Sequence, residues 1–415
     1  MADERFAIIE RRYLSVTGIP CFVDGAGSIL LDDAWHHDLV QHLAYLPRFV
    51  LAAPCRSAPP ERCHLLPLAD DLRGKLEVVP LPAPASRFSA LATLPITAAR
   101  LWRAVGRAEI VHTGVAGWPY PMGWLAIPMA RLRRKKIVVV VESAPWRGAA
   151  RGKLTVRQRL EAAIYERLAR RGCAAADLSF YTQAVYRAQL HHRGRGPAFV
   201  APATWINAED ILDDAQAGAA WDAKMKQPVR FLFAGRLVAE KGVKTLLAAA
   251  QILTAAGAQG SLHLIGDGPL RAMVAAAVGD GCFSIDHFAP IDGGKPFLDF
   301  LQGYHVAVVP SLTDEQPRIV FDAAARAVVV LASDTDGIRP HIENGTTGFL
   351  VPPGDPEALA QAMMKVIRMA KMMEVDGAGG GLRTMAAEAL RRVRGKTHRA
   401  MHAERSRLLA RHLLA

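Results

Sequence analysis

The sequence has no long apolar run. It opens Met-Ala-Asp-Glu-Arg-Phe, charged where a secretory signal is apolar, and no later stretch approaches the roughly 20 apolar residues of a spanning helix, so the expected location is cytoplasmic. Cysteine is sparse: Cys21, Cys55, Cys63, Cys173 and Cys282 stand apart with no C-x-x-C pair. That argues against a zinc ribbon, a redox motif or a disulfide framework and for reduced, buried thiols. Cys63-His64 beside Cys55 resembles half of a metal site but has no second pair at a fitting spacing. No metal and no resident cofactor are expected. Aromatic residues make up only 7% of the chain, and there is no RNP-type motif, no set of paired zinc ligands and no clear recognition helix. Nucleic acid is therefore not an expected partner.

Acidic residues are scarce in two segments. Arg147 to Arg195 holds eleven Lys/Arg against Glu161, Glu166 and Asp177, and Gly381 to the end holds nine against Glu388 and Glu404, so these stretches carry more than the whole net charge of +12. A localised cationic surface suits anionic lipid headgroups; a solvated helical face accounts for the same residues.

What remains describes a soluble chain of two domains. It is 415 residues long with 51% hydrophobic residues, too long for one ordinary core. Short β-branched runs predict strands at Phe49–Ala52, Leu76–Val79, Ile110–Val111, Ile137–Val141 and Phe199–Val200, and again at Val229–Ala234, Leu262–Ile265, Val306–Val309 and Val328–Ala332. Apolar stripes Val243, Leu246, Leu247, Ala250, Leu253 and Leu359, Met363, Val366, Ile367, Ala370 predict helices between and after them. The fold class is α/β, with parallel sheets covered by helices. The predicted divisions are an N-terminal domain over 1–207, a C-terminal domain over 208–380, and a basic helical segment over 381–415 after the Gly-rich 377–381.

Two Gly-rich strand ends in the second half point to chemistry. Gly235-Arg236-Leu237-Val238-Ala239-Glu240-Lys241-Gly242 follows a strand and opens a helix, and two cations at the carboxyl edge of a parallel sheet make a diphosphate site. Leu264-Ile265-Gly266-Asp267-Gly268-Pro269 is a second such turn. Downstream, Ser311-Leu312-Thr313-Asp314-Glu315-Gln316-Pro317-Arg318-Ile319-Val320-Phe321-Asp322 sets acids eight positions apart, able to accept from sugar and ribose hydroxyls, while Arg318 and backbone N–H groups near Ile319 face phosphate. Asp24-Gly25 predicts a hairpin turn, with a phosphate-cradling loop as the alternative reading. The helix expected around Trp35 to His42 holds His36, His37, Asp38 and His42, to which no metal is assigned.

These blocks, FAGRLVAEKG, LIGDGPL and PSLTDEQPRIVFDAAARA in that order over residues 229–370, resemble the C-terminal domain of the retaining glycosyltransferases of family 4. The resemblance implies the GT-B fold: two Rossmann-like domains facing a cleft, with a C-terminal helix crossing back. It implies that Gly235, Arg236, Lys241 and Gly266 line the donor diphosphate site, with Arg236 and Lys241 stabilising the leaving group. The family's paired glutamates read Asp314 and Asp322 here, for transferred sugar and ribose, with Glu315 able to replace Asp314. The Gly-Phe-Gly that usually follows the first acid reads Gln316-Pro317-Arg318, losing one N–H. His112, after Ile110-Val111, matches an N-terminal histidine that approaches the donor sugar.

The expected partners are thus a nucleotide-diphosphate sugar and a sugar or lipid-linked acceptor. Gly117-Trp118-Pro119-Tyr120 through Trp124, then Leu125–Ala130 and the cations of 131–136, suit an anionic membrane face; a helix packed on the sheet fits the same residues. Glu142 and Trp118 are the acceptor-side candidates. The second function class is a catalytically silent nucleotide-sugar-binding or scaffold protein.

Overall fold

The computed structural model describes residues 4–414 apart from 24–28, 57–64, 68, 70, 71, 73, 118, 149–154, 192, 314–316 and 377–380. In chain order the strands and longer helices are β1 (Tyr13–Val16), β2 (Cys21–Val23), β3 (Ile29–Asp32), α1 (Asp33–Leu43), β4 (Phe49–Arg56), β5 (Leu65–Pro67), β6 (Leu76–Leu81), α2 (Arg87–Arg107), β7 (Ile110–Gly114), α3 (Gly123–Leu132), β8 (Lys136–Val141), α4 (Val156–Ala175), β9 (Leu178–Tyr181), α5 (Ala184–Leu190) and β10 (Ala198–Val200). They continue with α6 (Asp214–Lys224), β11 (Arg230–Ala234), α7 (Val243–Ala255), β12 (Gly260–Ile265), α8 (Arg271–Ala277), β13 (Phe283–Phe288), α9 (Lys295–Gln302), β14 (Val306–Val309), α10 (Ile319–Ala325), β15 (Val329–Ser333), β16 (Gly348–Val351), α11 (Pro356–Asp376), α12 (Leu382–Val393) and α13 (His398–Leu413). Contacts divide the chain into two compact units, Met1–Ala203 with Arg399–Ala415, and Thr204–His398. The basic tail is shared out: α12 adds Leu382, Met385 and Leu390 to the core of the second unit, while Leu408, Leu409 and Leu413 of α13 join a core of the first.

Unit 1 is built on parallel strands in the order β6-β4-β1-β7-β8-β9-β10, with β2, β3 and β5 extending the sheet beyond the end of β4. The pleat sends alternate residues to opposite faces: Leu14, Val16 and Val111 pack towards α2 and α3, whereas Tyr13 and Ile110 face α1 and α13. β2 and β3 pair antiparallel, Val23 opposite Ile29. The Asp24-Gly25 turn expected between them lies outside the described residues. The apolar segment 125–130, one reading of which was a membrane contact, is a helix on the sheet, with Ala126, Ile127 and Ala130 buried.

The cysteine expectation needs correction. The register sets Cys21 opposite Cys55, and their Sγ atoms are 2.7 Å apart, so two of the thiols are neighbours. A hydrogen bond shared by the two thiols, in which either can donate, holds the Cys55 pKa below its ordinary value. Cys282 is exposed rather than buried.

Unit 2 is a six-stranded, all-parallel sheet in the order β13-β12-β11-β14-β15-β16. Here Phe231, Phe233, Val306, Val308, Val329 and Leu331 face α7 and α11, and Leu232, Ala307, Val309 and Val330 face α9 and α10. Burial on both faces is why these strands read as continuous apolar runs. Starting from β11, the chain builds outwards through β12 and β13, then returns to β11's other side for β14. The carboxyl ends of β11 and β14 therefore flank a topological switch point, where loops leave in opposite directions and a ligand can enter.

Two glycines let the loops at that edge touch backbone to backbone. Gly242 has φ +72°, and a Cβ there would stand 1.8 Å from the Pro310 carbonyl oxygen; Gly266 has φ +148°, with a Cβ 1.9 Å from the Gly235 oxygen. Gly266→Ala is expected to lower unit 2 stability by about 2 kcal/mol or more, through both the positive φ and the clash. Thermal unfolding of the variant against the parent checks this; an unchanged midpoint refutes the close approach.

Candidate donor site

The loops after β11, β12 and β14 are hydrogen-bonded into one rim. Gly235 N donates to Ile265 O at 3.0 Å, Leu237 N to Asp267 O at 2.9 Å, Leu270 N to Leu237 O at 3.0 Å, and Leu312 N to Glu240 O at 2.8 Å. The β11 loop thus has its two neighbours as braces, and its cations are presented on a fixed backbone. Arg236 is exposed and has no side-chain partner among the described residues; Lys241 is half-buried at the end of a single 3-10 turn, Ala239–Lys241. Asp267 is held by its own loop, its Oδ1 accepting from Gly268 N at 2.8 Å.

On the β14 side, Asp314, Glu315 and Gln316 lie outside the described residues, so the structure places only the second acid of the expected pair. Asp322 sits in the first turn of α10, half-buried. Burial pushes its pKa up to about 7, nearby Asp210 adds to the rise and Arg318 opposes it. Arg318 itself is exposed and directly precedes α10, its guanidinium 4.6 Å from the ring centroid of Trp205. Trp205 stacks in turn on buried His398, centroids 5.0 Å apart and planes 19° off parallel. A stacked arginine keeps its N–H edges available, so the arrangement fits an anion-facing role.

Sequence reasoning missed three residues of this corner: Trp205, His398 and Asp210. Asp210 Oδ2 accepts from Asn207 N at 2.9 Å and Asn207 Nδ2 at 3.1 Å, which fixes the second carboxylate near Asp322. Trp205 was legible only as an aromatic residue just before the domain break, and His398 as part of a basic tail.

The first-half candidates fall elsewhere. His112 is the third of the five residues of β7, paired with Ser15 and Val138, two positions short of the strand's carboxyl end at Gly114. Its ring lies edge-on to Tyr13, centroids 5.7 Å apart, with His42 at 6.2 Å, and its buried Nδ1 has no hydrogen-bond partner among the described residues. Burial, then His42 and Arg405, hold its pKa well below the ordinary histidine value. Beside it, His42 Nδ1 is 3.1 Å from Asp38 Oδ2, and His402 Nε2 of α13 is 3.1 Å from Asp38 Oδ1. Asp38, His42 and His402 are the described group able to hold a metal ion. The carboxylate bridging two rings accounts for their placement as a hydrogen-bonded link from α1 to α13. Glu142 is exposed just past the end of β8, its carbonyl accepting from Thr182 Oγ1 at 3.1 Å. Trp118 lies outside the described residues.

A hollow of about 630 Å³ in unit 2, lined by Lys226, Arg230, Gly260, Cys282, His305 and Lys371 among others, is at the amino-terminal edge of the sheet. Ligands of parallel α/β sheets sit outside the carboxyl ends, the edge opposite this hollow.

With this geometry in place, comparison with known proteins gives the class. Residues 228–369 match the family model for Glycosyl transferases group 1. The amylovoran biosynthesis glycosyltransferase AmsK of Erwinia amylovora is 31% identical over 152 residues, 34% of this chain and 37% of that protein. The chain spans a little over a third of the length of the curated relatives it matches first. Over nearly the whole chain the fold is shared with sucrose-phosphate synthase of Thermosynechococcus elongatus (TM-score 0.69, 19% identity, 97% of this chain and 99% of that one). It is also shared with Anabaena HepE, solved in complex with UDP (TM-score 0.62, 13% identity, 96% and 100%). The fold is GT-B, with two parallel-sheet domains. The group 1 match lies within unit 2.

Asp322 yields a pH prediction with a definite sign. Its folded pKa is raised above the ordinary 3.8, so its ionisation is a cost to folding that grows as pH rises from about 4 to about 7 and is constant above. Asp322→Asn removes that cost. The melting temperature of the variant relative to the parent should therefore climb between pH 5 and pH 8, both values chosen to straddle roughly that window; a difference independent of pH refutes the raised pKa.

Proposed function

We propose that this protein transfers a sugar from a nucleotide-diphosphate sugar to an acceptor hydroxyl with retention of anomeric configuration. Unit 2 takes the donor and unit 1 supplies the acceptor loops. The observation that carries the reading is the rim at the β11/β14 switch point, where Arg236 and Lys241 stand on a braced Gly-rich loop inside the family-matched segment.

As the glycosidic bond breaks, negative charge grows on the departing diphosphate. Arg236 and Lys241, carried on a backbone fixed before the reaction, offset that charge, which is where cations already at hand act most strongly. This route needs no metal. In a front-face displacement the leaving phosphate oxygen takes the acceptor proton, so no protein base is required at that step. Asp322, poised near neutrality, accepts from ribose hydroxyls, and Arg318 on Trp205 faces the phosphates. Asp314, or Glu315 beside it, orients the transferred sugar. HepE's complex with UDP supports the uridine nucleotide as the first to try. AmsK's name supports an acceptor in the assembly of a sugar polymer, in free or lipid-linked form.

Two measurements test this. A panel of UDP-, GDP- and ADP-sugars should include one that raises the melting temperature, since a ligand bound only by the folded state stabilises it. Replacing both Arg236 and Lys241 with Ala should then cut transfer by about a thousand-fold or more, each lost cation being worth roughly a hundred-fold, with the fold unchanged. Full activity in the double variant refutes the leaving-group role. Stabilisation by a nucleotide sugar with neither transfer nor donor hydrolysis assigns the protein to binding without turnover.

A further inference from the structure

α2 and α4 are long helices whose first halves outrun the core. α2 is capped by Ser86 and α4 by Thr155, each in a reciprocal capping box, so both helices start firmly. Yet the buried residues of α4 begin only at Ala169, and those of the first two turns of α2 reduce to Ala90. An ion pair, Arg87 Nη2 to Glu161 Oε1 at 2.8 Å, ties the two protruding ends together.

Around that pair the surface is apolar. Phe88 is 83% exposed and Leu91 67% on α2; Val156 is 84%, Leu160 63% and Ile164 47% on α4. On α4 the spacing i, i+4, i+8 puts these three on one stripe, and on α2 Phe88, Leu91 and Pro95 share another. The helices therefore carry apolar stripes that the sheet leaves uncovered. Scattered exposed leucines need no explanation, but five large side chains gathered at two joined helix ends mark a contact surface.

The charge around the patch selects the occupant. Arg157 and Arg159 lie beside the apolar stripe on α4, and α2 carries no acid. The two glutamates of α4 are spent, Glu161 on Arg87 and Glu166 on Arg170 and Arg147. A second copy of the chain would bring arginine against arginine. An anionic bilayer matches both features, taking the apolar side chains into its headgroup boundary and the guanidinium groups at its phosphates.

We propose that the paired amino-terminal halves of α2 and α4 seat this protein on an anionic membrane surface. α2 and α4 follow β6 and β8, so both protruding ends stand at the carboxyl edge of the unit 1 sheet, the edge that also carries Glu142. This deepens the acceptor side of the function proposed above: an acceptor carried in the bilayer would arrive where the acceptor loops are. It also moves the membrane contact expected from the sequence away from 118–136, whose apolar run is packed on the sheet.

The test is flotation of the full-length protein with extruded phosphatidylcholine vesicles, with and without roughly one-third phosphatidylglycerol, at low and high salt. The protein should float with the anionic vesicles only, and less at high salt. Leu91→Asp with Leu160→Asp should lower the bound fraction about ten-fold or more, while Arg157→Gln with Arg159→Gln should lower it less and flatten the salt dependence. Both pairs are exposed, and their melting temperatures verify the fold. Absence of flotation at low salt, or flotation indifferent to the Leu91/Leu160 pair, overturns the proposal. So does a dimer in sedimentation velocity that the aspartates convert to monomer, which would give the face to a second copy. Nucleotide-sugar stabilisation measured on the same preparations keeps the two readings apart: stabilised protein that never floats retains the transferase reading and loses this one, and the converse result does the opposite.

Discussion

The second unit of the molecule rests on how closely three loops approach at the carboxyl edge of one sheet. Where Gly242 meets the Pro310 carbonyl and Gly266 meets that of Gly235, no side chain could stand between the backbones. That contact allows the cross-loop hydrogen bonds of Leu237 and Leu312, and those bonds hold the segment carrying Arg236 and Lys241. A flexible loop would pay the ordering cost of its backbone each time a ligand bound. A braced loop has already met it during folding, when the sheet and its helices were buried.

The neighbouring corner uses a different device. Arg318 is positioned by stacking on Trp205, and Trp205 by stacking on His398, so residues at the two ends of unit 2 set the place of an arginine between them in sequence. Unit 1 has a comparable long-range link, in which Asp38 of α1 bridges His42 and His402. In the second link the Asp38 carboxylate gives the buried His42 and His402 rings a hydrogen-bond partner, where an unpaired polar group would carry a desolvation cost. Both links hold the C-terminal residues to helices or loops formed much earlier in the chain.

Much of the architecture was legible as local pattern. β14 was predicted at its observed bounds, and β8, β11, β12 and β15 within two residues, because strands buried on both faces are short apolar runs with little else in them. Strands with polar or mixed composition went unread: β1, at the centre of its sheet, is Tyr-Leu-Ser-Val, and β13 is Phe-Ser-Ile-Asp-His-Phe. Their pairing is supplied by neighbours in the sheet and not by their own composition. The thiol pair Cys21–Cys55 was invisible for the same reason, since 34 residues separate its members and only the strand register opposes them.

Residue identity and spacing by themselves determined that the second half carries a parallel α/β sheet with Arg236 and Lys241 at a strand end, because a Gly-rich turn after an apolar run has few other uses. Only the tertiary structure decided which strands adjoin, and hence that β11 and β14 flank the switch point. It likewise decided that His112 lies among Tyr13 and His42, that Trp205 underlies Arg318, and that the exposed apolar residues gather on α2 and α4 instead of near Trp124. Each of those facts depends on contacts between segments distant in the chain, which arise from the shared burial of faces and leave no periodic trace in either segment alone.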